Sequence, residues 1–96
     1  MAQSTILAAA LTAGTSSDVV VAVGGVAKVG IFCSDADGSR VPAAAEFILM
    51  EDTPGTDNRV VMLNNTYRSH LITAPGTYRV TRNAYAGTAF GVYLEN

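Results

Sequence analysis

Charge is scarce in this 96-residue chain: Asp, Glu, Lys and Arg make up 15% of it, against 49% apolar residues. Soluble domains carry roughly a quarter charged residues. A surface so poor in charge belongs either to a monomer covered in Ser, Thr, Ala and Gly, or to a subunit partly buried in an assembly. The cores of protein interfaces are depleted of charge, and exposed apolar patches on a small monomer promote association. The assembly reading is therefore preferred. Six basic residues, Lys28, Arg40, Arg59, Arg68, Arg79 and Arg82, leave a net charge of −2. They are scattered, with no basic run to track phosphates, so no nucleic-acid partner is expected.

Reactive side chains are equally few. Cys33 is the single cysteine and His70 the single histidine. One thiol excludes an internal disulfide and a multi-cysteine zinc site. Cys33 lies in an alternating apolar run and reads as a buried, inert thiol. His70 would have only carboxylates to share a metal with, and its neighbours Arg68 and Ser69 form no ligand pair. It reads as a surface or strand-edge histidine. No G-x-S-x-G elbow accompanies it, so serine-hydrolase chemistry is not expected. Asp35, Asp37 and Gly38 make half of a calcium loop, but Ala44 stands where the closing glutamate belongs, and turn chemistry accounts for both aspartates. The glycines, Gly24, Gly25 and Gly87 among them, have neither dinucleotide-binding nor P-loop spacing and read as turn residues. Neither catalytic, cofactor-binding nor metal-binding residues are assigned, and the chain is not expected to be an enzyme.

Long hydrophobic runs are missing too. No stretch reaches the roughly 18–20 residues of a membrane span, and no membrane partner is expected. Residues 6–13 look like a signal-peptide core, yet no positive side chain precedes them and the run is short. Synthesis in a cytoplasm is the expectation.

What the chain does have is strand signals. Residues 18–23 are β-branched and close at Gly24-Gly25. In residues 26–34, Val29, Ile31 and Cys33 share one face, and Lys28, Gly30, Phe32 and Ser34 the other, as in a half-buried strand. Residues 34–40 read as a turn containing Asp37-Gly38. Residues 46–51 are apolar on both faces, which predicts a central strand. Pro54-Gly55 separates them from a strand over 59–63, and Asn64-Asn65 turns the chain into residues 66–73. Ala74-Pro75-Gly76 then opens a predicted terminal hairpin, residues 77–82 and 90–95, joined by a loop over 83–88. Pro54-Gly55-Thr56 and Pro75-Gly76-Thr77 repeat turn chemistry without duplicating a module. Residues 5–13 tempt a helix because Ala and Leu favour one, but no helical charge pattern supports it. Residues 1–17 are read as an N-terminal arm or first strand and residues 18–96 as one β-sandwich domain.

Seven or eight short strands at about ten-residue spacing predict an all-β fold, an antiparallel sandwich or a jelly-roll or immunoglobulin-like barrel. Tyr67, Tyr78, Tyr85 and Tyr93 suit either a sugar or peptide groove, or core and subunit contacts, with the second preferred in a chain lacking tryptophan. Arg79 and Arg82 are expected to pair with Glu46, Glu51 or Glu95 across a sheet or an interface.

The texture of Asp18 to Gly25, of Lys28 to Cys33, of Pro75-Gly76-Thr77-Tyr78-Arg79-Val80-Thr81-Arg82 and of Phe90-Gly91-Val92-Tyr93-Leu94-Glu95 resembles small β-sandwich structural proteins of tailed bacteriophages. These are capsid decoration (cement) subunits or head–tail accessory proteins. The resemblance implies a non-enzymatic virion protein on the outer capsid surface, made in the host bacterium. It implies two partners: the major capsid protein, whose subunits it would bridge, and further copies of itself, trimers at local threefold positions. Residues 1–17 would be the shell-engaging arm, although the strongly Pro/Gly-rich arm of some such proteins is missing here. A neck or tail accessory domain is the alternative, and an extracellular carbohydrate-binding sandwich a further one.

Overall fold

The computed structural model describes residues 2–33 and 40–96. The expected turn at residues 34–40 lies, except for Arg40, outside the described residues. Nine strands form: β1 Gln3–Ala10, β2 Gly14–Thr15, β3 Val19–Val21, β4 Ala27–Cys33, β5 Phe47–Glu51, β6 Asn58–Leu63, β7 Ser69–Ile72, β8 Gly76–Arg82 and β9 Phe90–Glu95. They make two antiparallel sheets. The first has the order β1-β9-β4-β7; in the second, β2 and β3 share one side of β8, followed by β5 and β6. The expected all-β sandwich is present, with nine strands among the described residues where the sequence predicts seven or eight. The extra one arises because β2 and β3 are one edge strand broken at Ser16. There the backbone ladder is completed by a side chain: the Val80 N–H donates to Ser16 Oγ at 2.9 Å, and Ser16 N–H donates to the Val80 carbonyl at 2.8 Å. Among the described residues no helix is long and apolar enough to cross a membrane.

Alternation decides which side of each strand enters the core. Val29 and Ile31 of β4, Phe47 and Leu49 of β5, Val80 of β8, and Phe90 and Val92 of β9 all point inward and are buried. Burying each such side chain contributes roughly 1.5–3 kcal/mol. β5 is central, as its two-sided apolarity predicts: it lies between β6 and β8. Cys33 is half-buried at the end of β4.

Gln3–Ala10 takes the strand alternative. It is the edge of the first sheet, paired with β9 from Gln3↔Glu95 to Ala10↔Phe90. The radius of gyration, 12.9 Å, is close to the ~12.5 Å of a compact chain of this length. No arm projects.

The predicted terminal hairpin does not form. β8 belongs to the second sheet and β9 to the first, so residues 83–89 arch from one sheet to the other. Two side chains explain the arch. Arg82, 5% exposed, turns into the sandwich and donates to the carbonyls of Thr12 (2.6 Å), Ala8 (2.8 Å) and Phe90 (2.9 Å). Its expected carboxylate partners are not used. Tyr85 then plugs the gap: its hydroxyl donates to the Thr88 carbonyl and accepts from the Phe90 N–H, both at 2.8 Å. Its ring meets Phe47 edge-on at 6.3 Å, and its N–H donates to the Leu11 carbonyl at 3.0 Å. Burial raises the Tyr85 phenol above its ordinary pKa. The same effect, with Glu51 adding to it, raises that of Tyr78, whose hydroxyl donates to the Ala74 carbonyl at 2.8 Å.

Candidate functional site

His70 lies on β7, at the edge of the first sheet, with Nδ1 2.7 Å from the Tyr67 hydroxyl. Tyr67 is exposed and His70 half-buried. Among the described residues no group of three His, Cys, Asp or Glu side chains is placed to hold a metal ion. Asp35 and Asp37 lie outside the described residues.

Arg79 does gather acids, though not the expected glutamates. It stands on the outer face of the second sheet, opposite Met50. Its guanidinium pairs with Asp57, with Asp18 at 3.2 Å and with Asp52 at 3.9 Å. The Asp18 hydrogen bond, chiefly, raises the Arg79 pKa. These carboxylates come from two segments, Asp18 before β3 and Asp52 and Asp57 in the β5–β6 loop, both distant in sequence from Arg79. The glutamates pair elsewhere: Glu46 accepts from Asn83 at 3.2 Å and Glu95 from Gln3 at 3.0 Å. The cluster is half-exposed and ties loops to β8; exposed pairs of this kind contribute little to stability.

A more unusual feature sits where β3 crosses to β4. The chain reverses through residues 22–25, closed by a Gly25 N–H to Ala22 carbonyl bond of 2.9 Å. Val20, Val23 and Val26 around it are 70, 90 and 50% exposed. Leu71 on the neighbouring β7, opposite Lys28 in register, is 54% exposed. Val20 faces out from the second sheet and Leu71 from the first, so these two flank the turn on opposite faces; large apolar residues exposed together mark a contact surface. The β-branched run was legible in the sequence as a strand; that only Val19 and Val21 point inward was not.

The third feature is a groove of 390 Å³ on the outer face of the first sheet, lined by Gln3, Ser4, Thr5, Phe32 and Tyr93. Two glycines shape it. A Cβ on Gly30 would stand 2.5 Å from Cε1 of Tyr93, so the ring lies across bare backbone. A Cβ on Gly91 would stand 2.9 Å from Cε1 of Phe32 and would strike the β1 backbone at Leu7 and Ala9, where the β1–β9 register shifts. Small residues that let aromatic rings and a neighbouring strand approach closely are the physical reason for both glycines. Lys28 Nζ is 5.8 Å from the Tyr93 ring centroid. Of these residues, sequence reasoning singled out only Tyr93 as a groove candidate. The signal it overlooked was two glycines on strands whose outward neighbours are aromatic.

No family model, curated protein or solved structure matches this chain.

Proposed function

We propose that the chain is a non-enzymatic structural subunit of a tailed-phage virion, an oligomer that decorates the outer capsid surface and bridges major capsid subunits. The observation that carries this reading is the exposed valine turn. Three valines at 70, 90 and 50% exposure, on a chain with only 15% charged residues, give an apolar end suited to burial against another protein. The resemblance to phage decoration proteins adds the identity of that protein. With β1 built into the sheet, the shell contact is assigned to this turn and not to an N-terminal arm. Each contact is small, but many copies on a lattice raise effective concentration, so modest sites hold firmly together.

The test uses shells assembled from the major capsid protein encoded in the same genome. The wild-type chain should co-sediment with them and raise their resistance to heat and osmotic shock, and V23S/V26S should do neither. Shells that ignore the wild-type chain would refute the proposal. Copy number then separates decoration, at hundreds per particle, from a neck or tail component present in a single ring.

A further inference from the structure

We infer that the groove on the outer face of the first sheet is a binding site for a neutral saccharide. The inference does not rest on the virion reading: it concerns a different face from the valine turn. A pyranose ring offers an apolar C–H face and a rim of hydroxyls that both donate and accept. The groove offers the complement. Tyr93 and Phe32 supply aromatic carbon, and aromatic side chains with a polar tip suit surfaces that are half apolar and half wet. The Thr5 and Tyr93 hydroxyls, which share the outer face, can each donate and accept. Gln3 commits its Nε2 to Glu95 at 3.0 Å, which leaves its Oε1 to accept from a ligand.

Size, rigidity and charge agree. A volume of 390 Å³ falls within the ~300–1,000 Å³ of small-ligand clefts. The walls are preformed, because Gly30 and Gly91 admit the two rings against the backbone and Thr5 pairs directly with Tyr93 across β1 and β9. Little ordering remains to oppose binding. Lys28 and Glu95 are register partners of opposite sign beside the groove, so the two charges flanking it sum to zero. That favours an uncharged sugar. A peptide laid along the β1 edge would instead demand backbone pairing, for which side-chain hydroxyls and aromatic faces are no preparation.

The test is a screen of the full chain on an array of neutral oligosaccharides, followed by NMR titration of isotope-labelled protein with the best-bound sugar. Amide shifts should concentrate at residues 3–5, 32 and 91–93. Thr5→Val and Gln3→Ala, both at exposed edge positions, should weaken binding about fivefold to tenfold with the melting temperature unchanged. V23S/V26S should bind sugar as the wild type does, so that loss of shell binding and loss of sugar binding are read separately. An array without binders, shifts confined to another face, or full affinity in both Thr5→Val and Gln3→Ala would overturn the assignment.

Discussion

Two of the three crossovers that carry the chain from the second sheet to the first are built in opposite ways. Residues 83–89, between β8 and β9, are tied into the sandwich by Arg82 and Tyr85, whose hydrogen bonds reach Ala8, Thr12, Thr88 and Phe90. Residues 22–26, between β3 and β4, close through one local backbone bond and hold Val23 and Val26 out to solvent. The first spends polar groups inside the molecule and the second apolar groups outside it. Folding requires only the first arrangement. The second buries little of its apolar surface within the monomer, and under the proposed reading it serves as a surface for another protein.

The contrast breaks most visibly at Arg82. Arg82→Met keeps much of the volume but takes the guanidinium from one buried carbonyl, of Phe90, and two part-buried ones, of Ala8 and Thr12, at about 1–3 kcal/mol for each group left unsatisfied. A loss of about 3–5 kcal/mol is expected from a total that for such domains is about 5–15. In a thermal melt the midpoint should fall by at least ~12 °C. A fall of only a few degrees would show that water replaces the guanidinium and that the arch is not locked from within. Removing residues 1–12 should be at least as damaging, because it takes away the β1 edge and two of the three acceptors. Circular dichroism would then show lost β structure, where a detachable arm would leave it intact.

Tyr85→Phe is the intermediate case. It keeps the ring against Phe47 but orphans the Phe90 N–H, and should cost about 1–2 kcal/mol in denaturant unfolding. The same hydroxyl makes stability depend on alkaline pH. With the Tyr85 and Tyr78 pKa values raised above the ordinary 10.0, the unfolded chain loses these protons first. Stability is therefore fully present below about pH 10 and falls as pH rises through the folded-state values. Tyr85→Phe should flatten that decline by its own share, and an unchanged slope would place the tyrosine outside the packed arch.

The smallest effect on folding belongs to the valine turn. V23S/V26S should change stability by less than about 0.5 kcal/mol, as exposed substitutions do, while abolishing shell binding. If stability fell by several kcal/mol instead, the valines would be structural and the contrast between the crossovers would dissolve.

How much of this is written in the sequence follows from what alternation can encode. The period of two in residues 26–34 gives the faces of β4 correctly, and the two-sided apolarity of residues 46–51 gives the central position of β5. Alternation names faces but not partners, so residues 76–95 read as a hairpin when β8 and β9 lie in different sheets. The decision rests on Arg82 finding carbonyls at residues 8, 12 and 90, two of them some seventy positions away. Residues 3–10 left arm and strand open because Ala and Leu carry little strand preference of their own; pairing with β9 settles them. The groove was half legible, in Tyr93, and half not, since Gln3, Ser4 and Thr5 meet it only once the first and last strands pair.

Solution mass is the most direct measure of whether this molecule works by assembling. Sedimentation equilibrium of the wild-type chain should return a multiple of the 9.9 kDa protomer, and V23S/V26S, altered only at the shell contact, should return the same multiple. A wild-type chain that stays at protomer mass at every concentration would contradict the account.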